Sequence, residues 1–184
     1  AVVENGMLQE VSLERNSYLG YLGNIYKGTV SRVLPGMQAA FIDIGLDRTA
    51  FLHASDIYRF TDEQMPDDPP PEPSINSLVR EGESVVVQVI KDQLGTKGAR
   101  LTTNITIPSR YLVFMPNADN IGVSSRIENE DDRERLKAML LEQEHRVEDA
   151  GYIIRTAAEV ADEHAIASDI KYLNRLWENI NSTA

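Results

Sequence analysis

Cysteine is absent from this 184-residue sequence. Without thiols there is no disulfide framework and no thiolate zinc site. Histidine is scarce: only His53, His145 and His164 occur, and no two stand at the i, i+4 spacing of a helical metal site. No stretch approaches the roughly 18 consecutive apolar residues of a membrane span. The opening Ala1-Val2-Val3-Glu4-Asn5-Gly6 lacks both a basic n-region and an apolar run, so no signal peptide is expected. It also lacks an initiator Met, and the chain is expected to be an excerpt of a longer one. There is no P-loop, no dinucleotide fingerprint and no Ser/His/Asp arrangement. Positive charge is short as well. Eighteen Lys and Arg face 29 Asp and Glu, for a net charge of −11. Taken as a sum, that argues against a phosphate-rich partner, whose binding needs Lys and Arg.

The distribution of charge says more than the sum. Residues 20–60 and 85–110 together hold eight cations, among them Lys27, Arg32, Lys91, Lys97, Arg100 and Arg110, against four carboxylates. The acids collect elsewhere, at 62–72, 128–134 and 142–149. A locally basic segment therefore lies inside an acidic chain, readable either as an ordinary mixed surface or as an anion-facing one. A hydrophobic content of 42% is enough for one or two domains with cores of their own.

Periodicity predicts an α+β chain. Asn5-Gly6 predicts a hairpin over residues 2–11, since both residues of such a turn must accept positive φ. From 24 to 33 apolar and polar residues alternate, and further strands are predicted at 37–44, 50–53, 85–90 and 99–105. Five short strands with tight turns suit a small closed barrel of the OB type. The run 62–73 carries Pro66, Pro69, Pro70, Pro71 and Pro73 among acids, which predicts an exposed loop rather than a ladder or helix. Beyond 107 the pattern mixes classes. Strands are predicted at 111–116, 121–127 and 151–156. A helix is predicted from an Asn129 N-cap to about His145, with Leu136, Met139 and Leu140 on one face. A last helix carries Ile166, Ile170, Leu173, Leu176, Trp177 and Ile180 at helical spacing, the pattern of a core face.

Few residues could carry chemistry. Phe41 and Phe51 fall on adjacent predicted strands. Facing outward they would form a platform on which bases stack; facing inward they would fill the barrel. Tyr26 and His53 could extend such a platform, and Lys97, in the flexible turn Gly95-Thr96-Lys97-Gly98, could reach a phosphate. Arg155-Thr156 closes a strand, and an Arg fork beside a hydroxyl matches phosphate oxygens, although a surface salt bridge would use the same arginine. Asp43 and Asp47 flank a tight turn, where acids serve the backbone more often than a metal.

Six blocks, in order and with matching gaps, carry a resemblance. They are Asn24-Ile25-Tyr26-Lys27-Gly28; Gln38 to Gly45 with Ala50-Phe51-Leu52-His53; Lys97 to Thr103; Ser109 to Pro116; Ser124 to Glu128; and Ile153 to Glu159. Together they resemble the bacterial ribonuclease E/G family over nearly the whole chain. The resemblance implies a partial RNase-H-like subdomain at 1–20. An OB-fold RNA-binding domain of the ribosomal-protein S-one type follows at 21–104, and a small α/β sensor of 5′ monophosphate at 105–184. It implies that Phe41, Phe51 and Lys97, with Tyr26 and Lys27 from the same block as companions, contact single-stranded RNA. Arg155 and Thr156 would hold the 5′ phosphate, the backbone N–H of Val113 would add to that pocket, and Arg126 would lie in a supporting block. After Glu159 the family often has glycine where Val160 stands here, which leaves the path of the loop beyond the sensor strand open.

The resemblance further implies a cytoplasmic, magnesium-dependent endoribonuclease of rRNA processing and mRNA decay. Its magnesium-binding carboxylates and its interprotomer zinc lie in later parts of the family's chains. No catalytic residue, metal or cofactor is therefore expected within this stretch, which is expected to be inactive alone and monomeric, although the family forms homo-oligomers. The alternative is a stand-alone OB-fold RNA-binding module with no preference for a 5′ monophosphate. A protein-binding scaffold is the third reading, suggested by the acidic proline loop and the helical tail.

Overall fold

The computed structural model describes residues 2–4, 7–10, 20–57, 73–147 and 149–183. The N-terminal hairpin pairs β1 (Val2–Glu4) with β2 (Met7–Glu10) antiparallel, as its sequence predicts; the Asn5-Gly6 turn lies outside the described residues. The proline-rich run falls outside them too, except Pro73.

The barrel is closed in the order β3 (Ile25–Leu34), β4 (Ala39–Asp43), β5 (Ala50–His53), β7 (Arg100–Thr102) and β6 (Ser84–Lys91). Its pairs are antiparallel except β5 with β7. Alternation along each strand sends Val30, Ala40, Ile42, Leu52, Val87, Val89 and Leu101 into one core. A single turn, α1 (Ile75–Leu78), was not expected from the sequence and plugs that core with Ile75. The strand predicted over 99–105 stops at Thr102. There Thr102 Oγ1 accepts the Asn104 N–H at 3.0 Å and the Thr103 N–H turns to the Asp56 carbonyl, so both leave the ladder.

The second unit is a four-stranded sheet in the order β10 (Ile121–Val123), β11 (Gly151–Ile154), β9 (Leu112–Met115) and β8 (Ile107–Pro108). β10 and β11 are parallel, and the crossover between them runs through α2 (Glu130–Leu141), as a parallel connection requires. Asn129 caps α2, its Oδ1 accepting the Asp131 N–H at 2.9 Å. The helix ends at Leu141, short of His145, where the Gln143 and Arg146 N–H groups bend back in turns onto Leu140 and Gln143. α3 (Glu163–Thr183) buries Ile166, Ile170 and Leu173 against this sheet, with Leu176, Trp177 and Ile180 partly buried beside them, the face its periodicity predicts.

The two units are joined by a buried polar residue. Gln88 of β6 donates through Nε2 to the carbonyls of Gly23 (3.0 Å) and Thr106 (2.9 Å), and its Oε1 accepts the Thr106 N–H at 2.9 Å. Ile25 and Val86, on the outside of the barrel, pack against the second core. Among the described residues no helix is long and apolar enough to cross a membrane.

Candidate nucleic-acid interface

Strand parity decides between the two readings of the phenylalanines. On β4 Ala40 and Ile42 point inward, so Phe41 points out; on β5 Ala50 and Leu52 point inward, so Phe51 and His53 point out. Phe41 and Phe51 are directly opposed in the ladder and only partly covered. Their centroids are 6.3 Å apart at 68°, and His53 lies 6.3 Å from Phe51 at 31°. His53 is fixed by Ser55, whose N–H donates to its Nδ1 at 3.2 Å.

The register extends this aromatic pair into a row. Arg32 of β3 stands opposite Phe41, Arg100 of β7 opposite Phe51, and Lys91 of β6 opposite Arg100. Two aromatics are thus flanked by cations on both sides around the barrel. A bulge between Val30 and Arg32 places Arg32 there. The two arginines differ. Arg100 donates through Nε to Asp56 Oδ2 at 2.8 Å, a contact that raises its pKa and sets its direction. Arg32 is exposed, with no carboxylate within 4.0 Å among the described residues.

Lys97 is exposed at the end of a tight turn in which the Leu94 and Lys97 backbones bond each other. The turn leads into β7 three residues before Arg100. It is anchored to the β4–β5 turn, because Arg48 Nη1 donates to the Gly95 carbonyl and Gly98 abuts Thr49. Within the β4–β5 turn Asp43 Oδ1 accepts the Gly45 N–H at 2.9 Å, so this carboxylate serves the backbone. No group of three or more His, Cys, Asp or Glu that could hold a metal occurs among the described residues.

Tyr26 and Lys27 are not in the row. They lie on β3 opposite Val87 and Val86, with Lys27 five residues from Arg32, roughly 17 Å at the strand rise. Tyr26 is in phase with Gly28 and Val30 and packs partly buried against the barrel core, so it does not extend the platform. With Ile25, Val86 and Ile180 these two residues line a groove between the barrel and the end of α3.

The second cluster sits where β10 and β11 end and β9 begins. The Arg155 N–H donates to the Tyr111 carbonyl at 2.8 Å, and Arg155 Nη1 donates to the Ser109 carbonyl. Thr156 opens a single 3-10 turn, Thr156–Val160, in place of the last residue of the predicted strand. On the neighbouring strand end, the Ser124 N–H donates to the Ile154 carbonyl at 2.8 Å, and Arg133 Nη1 holds the Ser124 and Ile127 carbonyls. That turn ends the strand predicted over 121–127 at Val123 and carries Arg126 at the surface. Arg110, 5.0 Å from the Tyr111 ring centroid, adds a fourth arginine to this end beside Arg155, Arg133 and Arg126. Val113 stands inside the sheet between Pro108 and Ile153, two residues inward from Tyr111. The path left open by Val160 is the 3-10 turn, with Val160 itself 92% exposed.

Sequence reasoning counted Arg32, Lys91 and Arg100 as charge without placing them beside the aromatics, because the bulge is invisible in the pattern. It missed Asp169 of α3, which holds the Ser109 segment. The only signal for it is an acid next to the apolar stripe of that helix.

Comparison with known proteins agrees with both units. Residues 22–104 match the S1 RNA binding domain, and residues 106–184 match the Ribonuclease E/G family. Ribonuclease G of Salmonella typhimurium is 57% identical over 182 residues, which is 98% of this chain and 37% of that protein. Ribonuclease G of Haemophilus influenzae is 54% identical over the same shares. Ribonuclease E of Escherichia coli is 37% identical over 187 residues, covering 100% of this chain and 17% of that protein. The chain thus spans a little over a third of the length of the ribonuclease G relatives.

Proposed function

This chain belongs to the ribonuclease E/G family and carries an S1 RNA-binding domain, and on that premise we propose that it selects RNA for a single-strand-specific endoribonuclease of rRNA processing and mRNA decay in the cytoplasm. The barrel holds a single strand on Phe41 and Phe51, with Lys97 and the row's cations on the phosphates. The sheet end with Arg155 and Thr156 receives a 5′ monophosphate. Arg126 stands beside it, and Val113 contributes through its backbone. Hydrolysis belongs to other parts of the whole protein, where the family's magnesium and interprotomer zinc are expected.

The observation that carries this reading is the row itself. Two outward aromatics, directly opposed and flanked by arginines, match what stacking a flat, anionic polymer requires. An unpaired base offers a π-face to each ring, and the cations offset the charge of the chain's −11 total where the backbone passes.

The experiment is a titration with one short fluorescent single-stranded RNA in two forms, 5′ monophosphate and 5′ hydroxyl. The monophosphate form is expected to bind tighter by about 1.5–3 kcal/mol, the worth of a charge-assisted hydrogen bond. Arg155→Ala is expected to erase the difference. Equal binding of both forms, unchanged by Arg155→Ala, would leave a general RNA-binding module and refute the sensor.

A further inference from the structure

We infer that Asp169 is the positioning residue for the phosphate contact of Arg155, an inference that rests on the sensor reading above. Asp169 lies on α3, next to the buried Ile170. One of its oxygens, Oδ2, accepts three donors from a segment 57 to 60 residues earlier: Ser109 Oγ at 2.6 Å, the Tyr111 N–H at 2.9 Å and the Leu112 N–H at 3.1 Å. Hydrogen bonds to an ionised carboxylate are shorter and roughly twice as strong as neutral ones. Three of them converging on one atom fix the path of the segment.

The carbonyls of that same segment are what Arg155 uses. Its backbone N–H donates to Tyr111 and its Nη1 to Ser109. Asp169 therefore takes the Ser109 hydroxyl and the Tyr111 and Leu112 N–H groups, and Arg155 takes the Ser109 and Tyr111 carbonyls. A second bond closes the turn, from the Ser109 N–H to the Leu112 carbonyl at 2.8 Å. The guanidinium is thereby tethered through one of its five N–H donors, with the others left for phosphate oxygens. A fork held in advance loses less rotamer freedom on binding than a free one. Asp169 also fills the space in front of two successive amides, Tyr111 and Leu112, that would otherwise attract an anion, so a phosphate is left to Arg155.

The test uses the whole chain and the same RNA pair. The quantity read is the ratio of affinities for the monophosphate and hydroxyl forms, in wild type, Arg155→Ala, Asp169→Asn and the double variant. Asp169→Asn is expected to lower the ratio roughly tenfold, the scale of one charge-assisted bond, while the hydroxyl form binds as in wild type. The double variant is expected to match Arg155→Ala, because the two residues act on one contact. A wild-type ratio with Asp169→Asn, beside a collapsed ratio with Arg155→Ala, overturns the role of Asp169 and leaves the sensor standing. Equal weakening of both RNAs by Asp169→Asn makes it a structural residue and also overturns the inference. A wild type that does not discriminate removes the sensor reading itself, and the inference with it. Should Asp169→Asn fail to fold, Ser109→Ala removes the shortest of the three bonds and must lower the ratio in its place.

Discussion

Phe41 and Phe51 face each other across β4 and β5, ring centroids 6.3 Å apart and nearly edge to face. That geometry sets the positive edge of one ring against the negative face of the other, so the pair holds its own shape while one side of each ring stays accessible. A base arriving on such a surface meets a platform already in place. Phe41→Ala and Phe51→Ala are each expected to weaken single-stranded RNA by about 1–3 kcal/mol per lost stack. The loss is expected to be equal for the 5′-monophosphate and 5′-hydroxyl forms. Since the rings touch, the double variant is expected to lose less than the two single losses combined. Anisotropy titrations check this, and wild-type affinity in both single variants would remove the platform.

Arg32 and Arg100 end the aromatic pair on opposite sides but are not equivalent. Arg100 is tied to Asp56 at 2.8 Å, whereas Arg32 has no carboxylate partner among the described residues. Arg32 is therefore free to release counterions from an RNA phosphate. Arg32→Gln is expected to reduce the slope of log affinity against log salt by about 0.7, the value for one phosphate on a single strand. Lys97→Gln is expected to do the same, and Phe41→Ala to leave the slope unchanged. Titrations across a salt series decide it; an unaltered slope in Arg32→Gln would place the backbone elsewhere.

Gly98 tests how the lysine turn is carried. A Cβ added there would lie 2.0 Å from the Thr49 carbonyl oxygen and 3.0 Å from its carbon, both backbone atoms that cannot yield as a flexible side chain does. Gly98→Ala must push the Lys97 turn off the β4–β5 turn. The expected cost is about 1–3 kcal/mol of stability, the range for overpacking, with weaker RNA binding in the same variant. Urea unfolding measures the first and titration the second. Wild-type stability in Gly98→Ala would mean the two turns do not touch in solution.

How much of this was legible in the sequence depends on the range of the interaction. Local signals were readable: the first barrel strand from alternation and the other four from short apolar runs between turns, the α2 cap from Asn129, the buried stripe of α3 from Ile166, Ile170 and Leu173. The parity that turns Phe41 outward was also present, since Ala40, Ile42 and Ile44 occupy the other phase. What the pattern could not supply was register. A bulge at one residue of β3 sets Arg32 beside Phe41, and the parallel pairing of β5 with β7 brings Arg100 to Phe51 across a gap of 49 positions. Tyr26 shows the converse. An aromatic on a barrel strand suggested an extension of the platform, but Tyr26 is in phase with Gly28 and Val30 and packs against the barrel core. Asp169 is the extreme case, because its partners are in another element and its meaning exists only once α3 has docked.

Tyr152 gives the second unit a pH signature of its own. Its ring is buried against Phe114, centroids 5.3 Å apart, and its hydroxyl oxygen accepts the Val147 N–H at 3.1 Å. Burial disfavours the phenolate and pushes the pKa up, and this outweighs the lowering by the Val147 N–H and by the charge of Arg146. The sign follows from proton binding. Above the ordinary tyrosine value of about 10 the unfolded chain loses this proton while the folded one keeps it, so unfolding gains with rising pH. The contribution is fully present below that value and is lost as pH climbs toward the raised folded value. Tyr152→Phe is expected to cost about 0.5–1.5 kcal/mol at neutral pH for the lost hydrogen bond. It is also expected to flatten the alkaline decline. Urea unfolding of both proteins at about pH 8 and about pH 11, either side of the ordinary tyrosine value, makes the comparison. If the two lose stability in parallel between those conditions, the alkaline sensitivity belongs to other groups and the Tyr152 hydroxyl is not desolvated as its packing implies.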